Sequence, residues 1–500
     1  MKKSKKSSQE SAFEEHGFKN TISMLLEEIQ ELYLSDEYPW IVGYSGGKDS
    51  TATLELVWLS LLGIPPEKRT KPVHIISTDT LVENPIVALW VRRSLKNMRR
   101  AAENENLPIY PQLLTPEIQD TFWVNLIGRG YPAPRPKFRW CTLRLKINPS
   151  NKFISSTLQQ NGGEGILVLG MRKAESTKRK SVMNKLEEKR TRARLSPNKK
   201  LLNSYVYTPI ENWTNDDVWL FLMQKEYKHA PWGSSNEELF SMYKGANPDN
   251  ECPLVVDTGT PSCGSSRFGC WVCTLVDKDH SLHAMVQNDD EKQWMLPLLE
   301  LRDELGNKND RHLRDFRRMS GFVQLFHDRP IPGPYKQYVR EEILRWLLEA
   351  QKMVRQKGPP EVRDIELITL DELNEIRRIW VFEKRELEDS LPGVYEEVTG
   401  LPLPDNWIDD NLVFGSNEMN ILRDLCSDDD LHYQLTRDLL DVERRYRMMA
   451  RRAGLYDALE QIFRRSFYED EEDATDRALR LQKAKKAAQE GDYKQLSFLN

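Results

Sequence analysis

The sequence predicts an α/β fold, a parallel sheet with helices packed on it, followed by an irregular cysteine-bearing module and a mainly helical C-terminal region. Three observations carry that expectation. Over roughly the first 225 residues, short apolar and β-branched runs alternate with amphipathic segments, the pattern of parallel strands joined by helices. A Gly-rich turn, Ser45-Gly46-Gly47, follows the first apolar run and opens an apolar helix. Past about residue 290, apolar residues recur at three- and four-residue spacing, which marks helices with one buried face.

Strands are expected at Trp40–Tyr44, Val73–Thr78, Ile109–Leu114, Ile166–Leu169 and Val206–Ile210. The clearest helix between them is Ser50–Leu62, with Leu54, Leu56, Val57, Leu59, Leu61 and Leu62 as its buried face. Tyr131–Pro136 is expected to be a loop, because proline lacks the amide proton that helices and inner strands need. In the tail, helical periodicity covers Lys336–Gln356, Leu370–Asp389 and Met419–Phe467, with breaks at Pro359, Pro360, Pro392 and the turn from Pro402 to Pro404.

A chain of 500 residues exceeds what one core usually organises, so several domains are expected. The pattern divides it into a disordered start over residues 1–20, a sheet domain over 21–225, a cysteine module over 226–290 and a helical region over 291–500. No run approaches the roughly 20 apolar residues that span a bilayer, and the Lys/Ser-rich opening lacks the apolar stretch of a secretory signal. Cytoplasmic residence without a membrane partner is therefore expected. The net charge of −5 conceals an uneven distribution: Arg172–Lys200 holds twelve Lys/Arg against three Glu, while acids collect late, as at Glu469–Asp473. One end of the molecule is thereby suited to a polyanion, although solvated charge is the default reading of such a run.

Ile41-Val42-Gly43-Tyr44-Ser45-Gly46-Gly47-Lys48-Asp49-Ser50 reads as strand, tight turn and helix start, the geometry of an anion site. Gly46 and Gly47 let the backbone approach phosphate oxygens, and the free amides of the helix N-terminus point the same way. Ser45 and Ser50 add hydroxyls, and Lys48 a mobile charge. The Walker pattern is excluded, since it needs four residues between its first Gly and its Gly-Lys pair.

Six cysteines are too few for a disulfide scaffold of this length, yet Cys252, Cys263, Cys270 and Cys273 lie close together, with ten, six and two residues between them. Four thiolates suit tetrahedral Zn2+ or an iron–sulfur cluster, and spacing alone does not choose. Cys141, beside Arg139 and Arg144 that favour thiolate, reads either as a sulfur carrier or as a small buried residue. Cys426 reads as structural.

The hexamer Ser45–Ser50 resembles that of the PP-loop ATP pyrophosphatases, with the Rossmann-like sheet of the adenine nucleotide α-hydrolase group, and within them the phosphoadenylyl-sulfate reductase superfamily. Further segments agree in order: Ser77-Thr78-Asp79-Thr80 with Glu83-Asn84-Pro85, Arg139-Trp140-Cys141-Thr142 with Leu145-Lys146, Leu169-Gly170-Met171-Arg172 with Glu175-Ser176 and Arg179, and Pro209-Ile210 with Trp213 and Asp217-Val218-Trp219. The resemblance implies ATP bound by Ser45, Gly46, Gly47, Lys48, Asp49, Ser50, Asp79, Gly170 and Arg172, with Mg2+ at Asp79 and catalytic work at Lys48, Asp49, Cys141 and Arg172. Joined to the four-cysteine spacing and the helical tail, it narrows to the DndC family of the bacterial DNA phosphorothioation system. That family implies a [4Fe-4S] cluster on Cys252, Cys263, Cys270 and Cys273, with Zn2+ the alternative. It also implies ATP hydrolysis to pyrophosphate, the DNA backbone as substrate, a cysteine desulfurase as sulfur donor and further proteins of the phosphorothioation complex as partners. The rival readings are tRNA thiolation, adenylyl-sulfate reduction, and a non-catalytic ATP-gated binding module.

Overall fold

The computed structural model describes residues 10–190, 192–198, 201, 203–224, 228–246, 268–404, 415–427, 429–447, 449, 451–466 and 468–489. The chain divides into two compact units, one of Met1–Glu117, Pro134–Asp303 and Lys357–Arg363, the other of Ile118–Ala133, Glu304–Gln356 and Asp364–Asn500.

The first unit is built on a six-stranded sheet: β1 Trp40–Gly43, β2 Val73–Thr78, β3 Ile109–Leu114, β4 Gly165–Val168, β5 Ser196–Pro197 and β6 Ser204–Tyr207, in the order β3-β2-β1-β4-β6-β5. All pairings are parallel except that of short β5 with β6. The five strands expected from the sequence form, two of them unchanged in extent and the others displaced by one to three residues at their ends. Val42, Ile75, Ile166 and Val168 are fully or almost fully buried, as strands covered on both faces require.

Helices α1 Gly17–Leu34, α2 Lys48–Leu62, α3 Pro85–Asn104, α4 Asn148–Gln160, α5 Thr177–Glu187, α6 Asn215–Leu222, α7 Asn236–Gly245, α8 His280–Asn288 and α9 Leu296–Leu305 follow in chain order. Order begins earlier than the sequence suggested: α1 starts at Gly17, and before it Phe13 is buried edge-on against Trp213. Trp232, Leu239 and Met242 belong to the same core as β1 and α2, so the packing of the sheet domain continues past residue 225. Two members of the cysteine module, Cys252 and Cys263, lie outside the described residues.

Helix α2 begins at Lys48, because Gly47 takes the extended N-cap conformation. It is buried nearly all round rather than along one face, and encloses Thr51, Thr53, Glu55 and Ser60. Glu55 accepts a hydrogen bond from Asn236 Nδ2 at 2.7 Å, and burial pushes its carboxyl up to about 8.

In the second unit, α10 Gln337–Lys357, α11 Leu370–Arg378, α12 Leu391–Thr399, α13 Ser416–Cys426, α14 Asp430–Arg447, α15 Leu455–Ser466 and α16 Glu471–Gln489 supply the helical region. Trp123 and Trp380 bury their rings and donate their indole protons to the Leu367 and Ile127 carbonyls, at 2.7 and 3.0 Å. The long periodic stretch Met419–Phe467 resolves into α13, α14 and α15, interrupted at Ser427 and Gly454, whose φ values are +55° and +85°. Among the described residues no helix is long and apolar enough to cross a membrane.

The raised pKa of Glu55 sets a pH dependence of stability. Below the unfolded carboxylate pKa both states hold the proton; above it the unfolded chain ionises while the fold keeps Glu55 neutral, so this contribution is lost as pH rises towards about 8. Glu55→Gln, which keeps the acceptor for Asn236, is expected to match wild type in denaturant midpoint near pH 4.5. By pH 8 it should exceed wild type by about 1–3 kcal/mol.

Candidate active site

In an open parallel sheet a crevice forms beyond the strand carboxyl ends where the strand order reverses, and here that point lies between β1 and β4. A cavity of about 1240 Å³ opens there. Its floor is the turn that follows β1. Gly46 adopts φ +73°, a conformation that favours glycine, and a Cβ on it would meet Val91 Cγ2 at 2.5 Å. Trp90 Nε1 holds its carbonyl at 3.1 Å. Gly46 thus shapes the loop from behind and is not on the cavity wall, whereas Ser45, Gly47, Lys48, Asp49 and Ser50 are. Ser50 Oγ closes the turn by donating to the Gly47 carbonyl at 2.9 Å and accepting the Ser45 amide at 3.2 Å.

The chain leaving β4 locks onto this loop. A Cβ on Gly170 would stand 2.6 Å from the Asp49 carbonyl oxygen and 3.0 Å from the Ser50 amide nitrogen, so only glycine lets the two backbones meet. Arg172, 4% exposed, reaches back to Asp49 with Nε at 2.8 Å from Oδ1 and Nη2 at 3.3 Å from Oδ2, while Nη1 donates to the Trp213 carbonyl at 3.4 Å. The fork geometry makes Arg172 an anchor for the start of α2. Lys48 lies beside them, its Nζ 3.5 Å from Asp49 Oδ2, and burial together with the Arg172 charge lowers its pKa. Arg179, expected near phosphate, lies on the cavity rim and pairs with Glu175.

Asp79, at the end of β2, is also on the wall, but its oxygens are engaged: Oδ1 accepts the Leu81 amide and Oδ2 meets Arg92, each at 2.9 Å. A cation at Asp79 has to displace Arg92. Beyond it, Glu83 forms an antiparallel bridge with Cys270, the Trp271 amide donates to the Val82 carbonyl at 3.0 Å, and Lys146 Nζ lies 3.1 Å from Glu83. This docks the Cys270–Cys273 turn, closed by a 3.0 Å bond from the Cys273 amide to the Cys270 carbonyl, beside the loop that follows β2. Burial, with the Glu83 charge added, pushes the Cys270 thiol up to about 12.

Cys141 is not on the cavity wall. Burial raises its pKa and the neighbouring Cys273 adds to the shift, opposite in direction to the effect expected of Arg139 and Arg144. Among the described residues no group of three His, Cys, Asp or Glu could hold a metal ion. The basic run from Arg172 is largely neutralised within the unit: Arg190 pairs with Glu211, Arg192 with Asp36 and Arg194 with Glu28, at 2.9, 2.7 and 3.1 Å. Lys178, Lys180, Lys185 and Lys189 are exposed and make no ion pair among the described residues.

Sequence reasoning missed two residues. One is Arg92, the partner of Asp79. The other is Tyr243 on α7, whose hydroxyl accepts the Lys48 amide at 3.3 Å and whose ring centroid lies 5.2 Å from Lys48 Nζ. Neither sits in a recognisable motif, and Tyr243 follows the loop by about two hundred residues.

Sheet, loop and crevice together define a domain of the PP-loop type. Residues 39–276 match the family model of the phosphoadenosine phosphosulfate reductase domain. Over 213 residues the chain is 27% identical to an uncharacterized protein of Methanocaldococcus jannaschii; the aligned stretch is 42% of this chain and spans only 36% of that relative. A solved structure of Candida glabrata FMN adenylyltransferase in complex with FAD and inorganic pyrophosphate is similar over 49% of this chain and 70% of that one, at 12% identity and a TM-score of 0.26.

The close approach at Gly170 is open to a direct check. Gly170→Ala forces the Asp49 backbone away and is expected to cost about 1–3 kcal/mol in denaturant unfolding, as overpacking does. Gly245→Ala, at the end of α7 with its nearest neighbour 3.6 Å from the new Cβ, is expected to be neutral or slightly stabilising.

Proposed function

We propose that this chain uses ATP to activate a DNA backbone phosphate and helps replace one of its non-bridging oxygens by sulfur. The family of nucleotide-acting reductases matched by residues 39–276 supports ATP use. The observation that carries the finer reading is that the phosphate loop and the Cys270–Cys273 turn share one end of one sheet, joined through the segment Asp79–Glu83.

In this reading a non-bridging oxygen of the phosphodiester attacks the α-phosphorus of ATP, the bond to the β-phosphate oxygen breaks, and pyrophosphate leaves. Loop amides at Ser45–Ser50 and the Lys48 ammonium hold that leaving group, whose charge develops in the transition state. Sulfide then attacks the DNA phosphorus and AMP departs with the original oxygen, leaving no net redox change. Delivery of the sulfur as a persulfide, from a desulfurase or on Cys141, requires a thiol to reduce the sulfur–sulfur bond. Mg2+ carried on ATP supplies charge neutralisation, with Asp79 the strand-end carboxylate suited to it once Arg92 gives way. Cys252, Cys263, Cys270 and Cys273 would hold a [4Fe-4S] cluster or Zn2+, which supplies thiolate-bound metal chemistry at this rim. DNA backbone contact falls to the exposed Lys178, Lys180, Lys185 and Lys189, with the desulfurase and other phosphorothioation proteins as partners and the cytoplasm as location.

The second reading is reduction of a sulfated adenylyl nucleotide, favoured by the description of the matching family model. Mass analysis of nuclease-digested DNA incubated with the protein, ATP, a desulfurase and cysteine separates the two. Phosphorothioate-linked dinucleotides are the expected product, and sulfite from an adenylyl sulfate, with no modified DNA, overturns the proposal. Lys48→Ala is expected to lower ATP-dependent pyrophosphate release by about a hundredfold, the size of losing one preorganised charge donor. Unchanged release removes the loop from the mechanism.

A further inference from the structure

The second unit contains a cavity of about 540 Å³ that the activity above does not use. Ten Lys/Arg and six Asp/Glu line it, so its wall is cationic on balance. Several of those charges are paired with one another, and two of the cations, Arg340 and Lys384, carry donors that no described residue meets.

Arg340, on α10, is 2% exposed. Its Nε donates to the Tyr335 carbonyl at 3.2 Å, its Nη2 pairs with Glu386, and its guanidinium stacks 5.1 Å from the Trp380 ring centroid. Nη1 has no hydrogen-bond partner among the described residues. A guanidinium held at Nε and Nη2 and by ring stacking, with Nη1 unmet, is unusual, because leaving a buried donor without a partner is costly. Lys384 lines the same cavity, and among the described residues its ammonium makes no ion pair, although its backbone carbonyl accepts Arg437 Nη2 at 3.1 Å. Burial, followed by the charge of Arg340, lowers the Lys384 pKa to about 8, against the opposing pull of Glu386 and Asp315.

The surroundings favour this arrangement over accidental frustration. Arg317 is held by Asp315 at 2.8 Å and by Gln434, and Arg437 by Asp438 at 3.3 Å, so neighbouring lining residues fix these two guanidinium groups in the wall. Tyr335, Tyr338 and Tyr433 add aromatic surface to the lining. The volume lies in the range of small-molecule pockets, about 300–1,000 Å³.

We infer that this cavity is a second anion site, which takes a phosphate group between Arg340 Nη1 and the Lys384 ammonium, separate from the phosphate loop of the sheet domain. Such a group reaches it either on a free nucleotide or at the end of a nucleic-acid strand. Both present the same tetrahedral anion, and the bidentate preference of guanidinium for phosphate oxygens suits it.

The test uses full-length protein carrying Lys48→Ala, which weakens the phosphate loop so that a second site is read alone. Equilibrium dialysis is run with radiolabelled inorganic phosphate, AMP and a 5′-phosphorylated oligonucleotide. One saturable site is expected; Lys384→Met should weaken it at least tenfold and Lys384→Arg by less than threefold, with melting temperatures confirming that both variants fold. Tighter binding of AMP identifies a nucleotide ligand and tighter binding of the oligonucleotide identifies a strand end; either supports the site. Absence of saturable binding by all three probes, or equal binding by Lys384→Met and its parent, overturns it.

Discussion

The fork between Arg172 and Asp49 is the contact on which the candidate site depends. It joins the strand that precedes the crevice on one side to the helix that opens it on the other, and it can form only because Gly170 lets two backbones approach within van der Waals range. With that tie in place, Lys48 is confined next to Asp49, and Tyr243 packs on it with ring and hydroxyl. Arg172 thus braces the loop through Asp49 while it also lies on the cavity wall beside Lys48. The same economy appears at Asp79, where Arg92 stands in the position a cation would take.

Much of this was legible in the sequence, for a physical reason. Strands β1, β2 and β4 are buried on both faces or nearly so, which leaves continuous apolar, β-branched runs in the sequence, and the loop hexamer declares its own geometry through its glycines. Helix α2 was recognised but its surroundings were not: periodicity picked out one leucine face, whereas Thr51, Thr53 and Glu55 are enclosed as well. Polar residues inside a helix read as a solvated face until partners such as Asn236 arrive from elsewhere in the chain.

The basic run shows the opposite failure. Read along the sequence it is a polycation; read in three dimensions, Arg190, Arg192 and Arg194 are matched by Glu211, Asp36 and Glu28, two of which lie more than 150 residues upstream. Net charge per segment cannot see such partners, and only the lysines that stay exposed keep the polycationic character expected of the whole stretch. The tail is helical as its periodicity predicts, but Ser427 and Gly454 interrupt the run Met419–Phe467 through backbone conformation rather than through proline.

From Ser50 onward α2 is enclosed on almost every side, so the phosphate loop is attached to a helix that cannot shift without opening the core. A loop anchored in this way would lose little freedom on taking up an anion. Such a rigid receptor discriminates poorly among molecules that share a triphosphate tail. Selection among nucleotides, and among the acceptors they are to modify, then has to be made by the opposite bank of the crevice, where Tyr243, the Asp79–Glu83 loop and the Cys270 turn meet the rest of the molecule that binds.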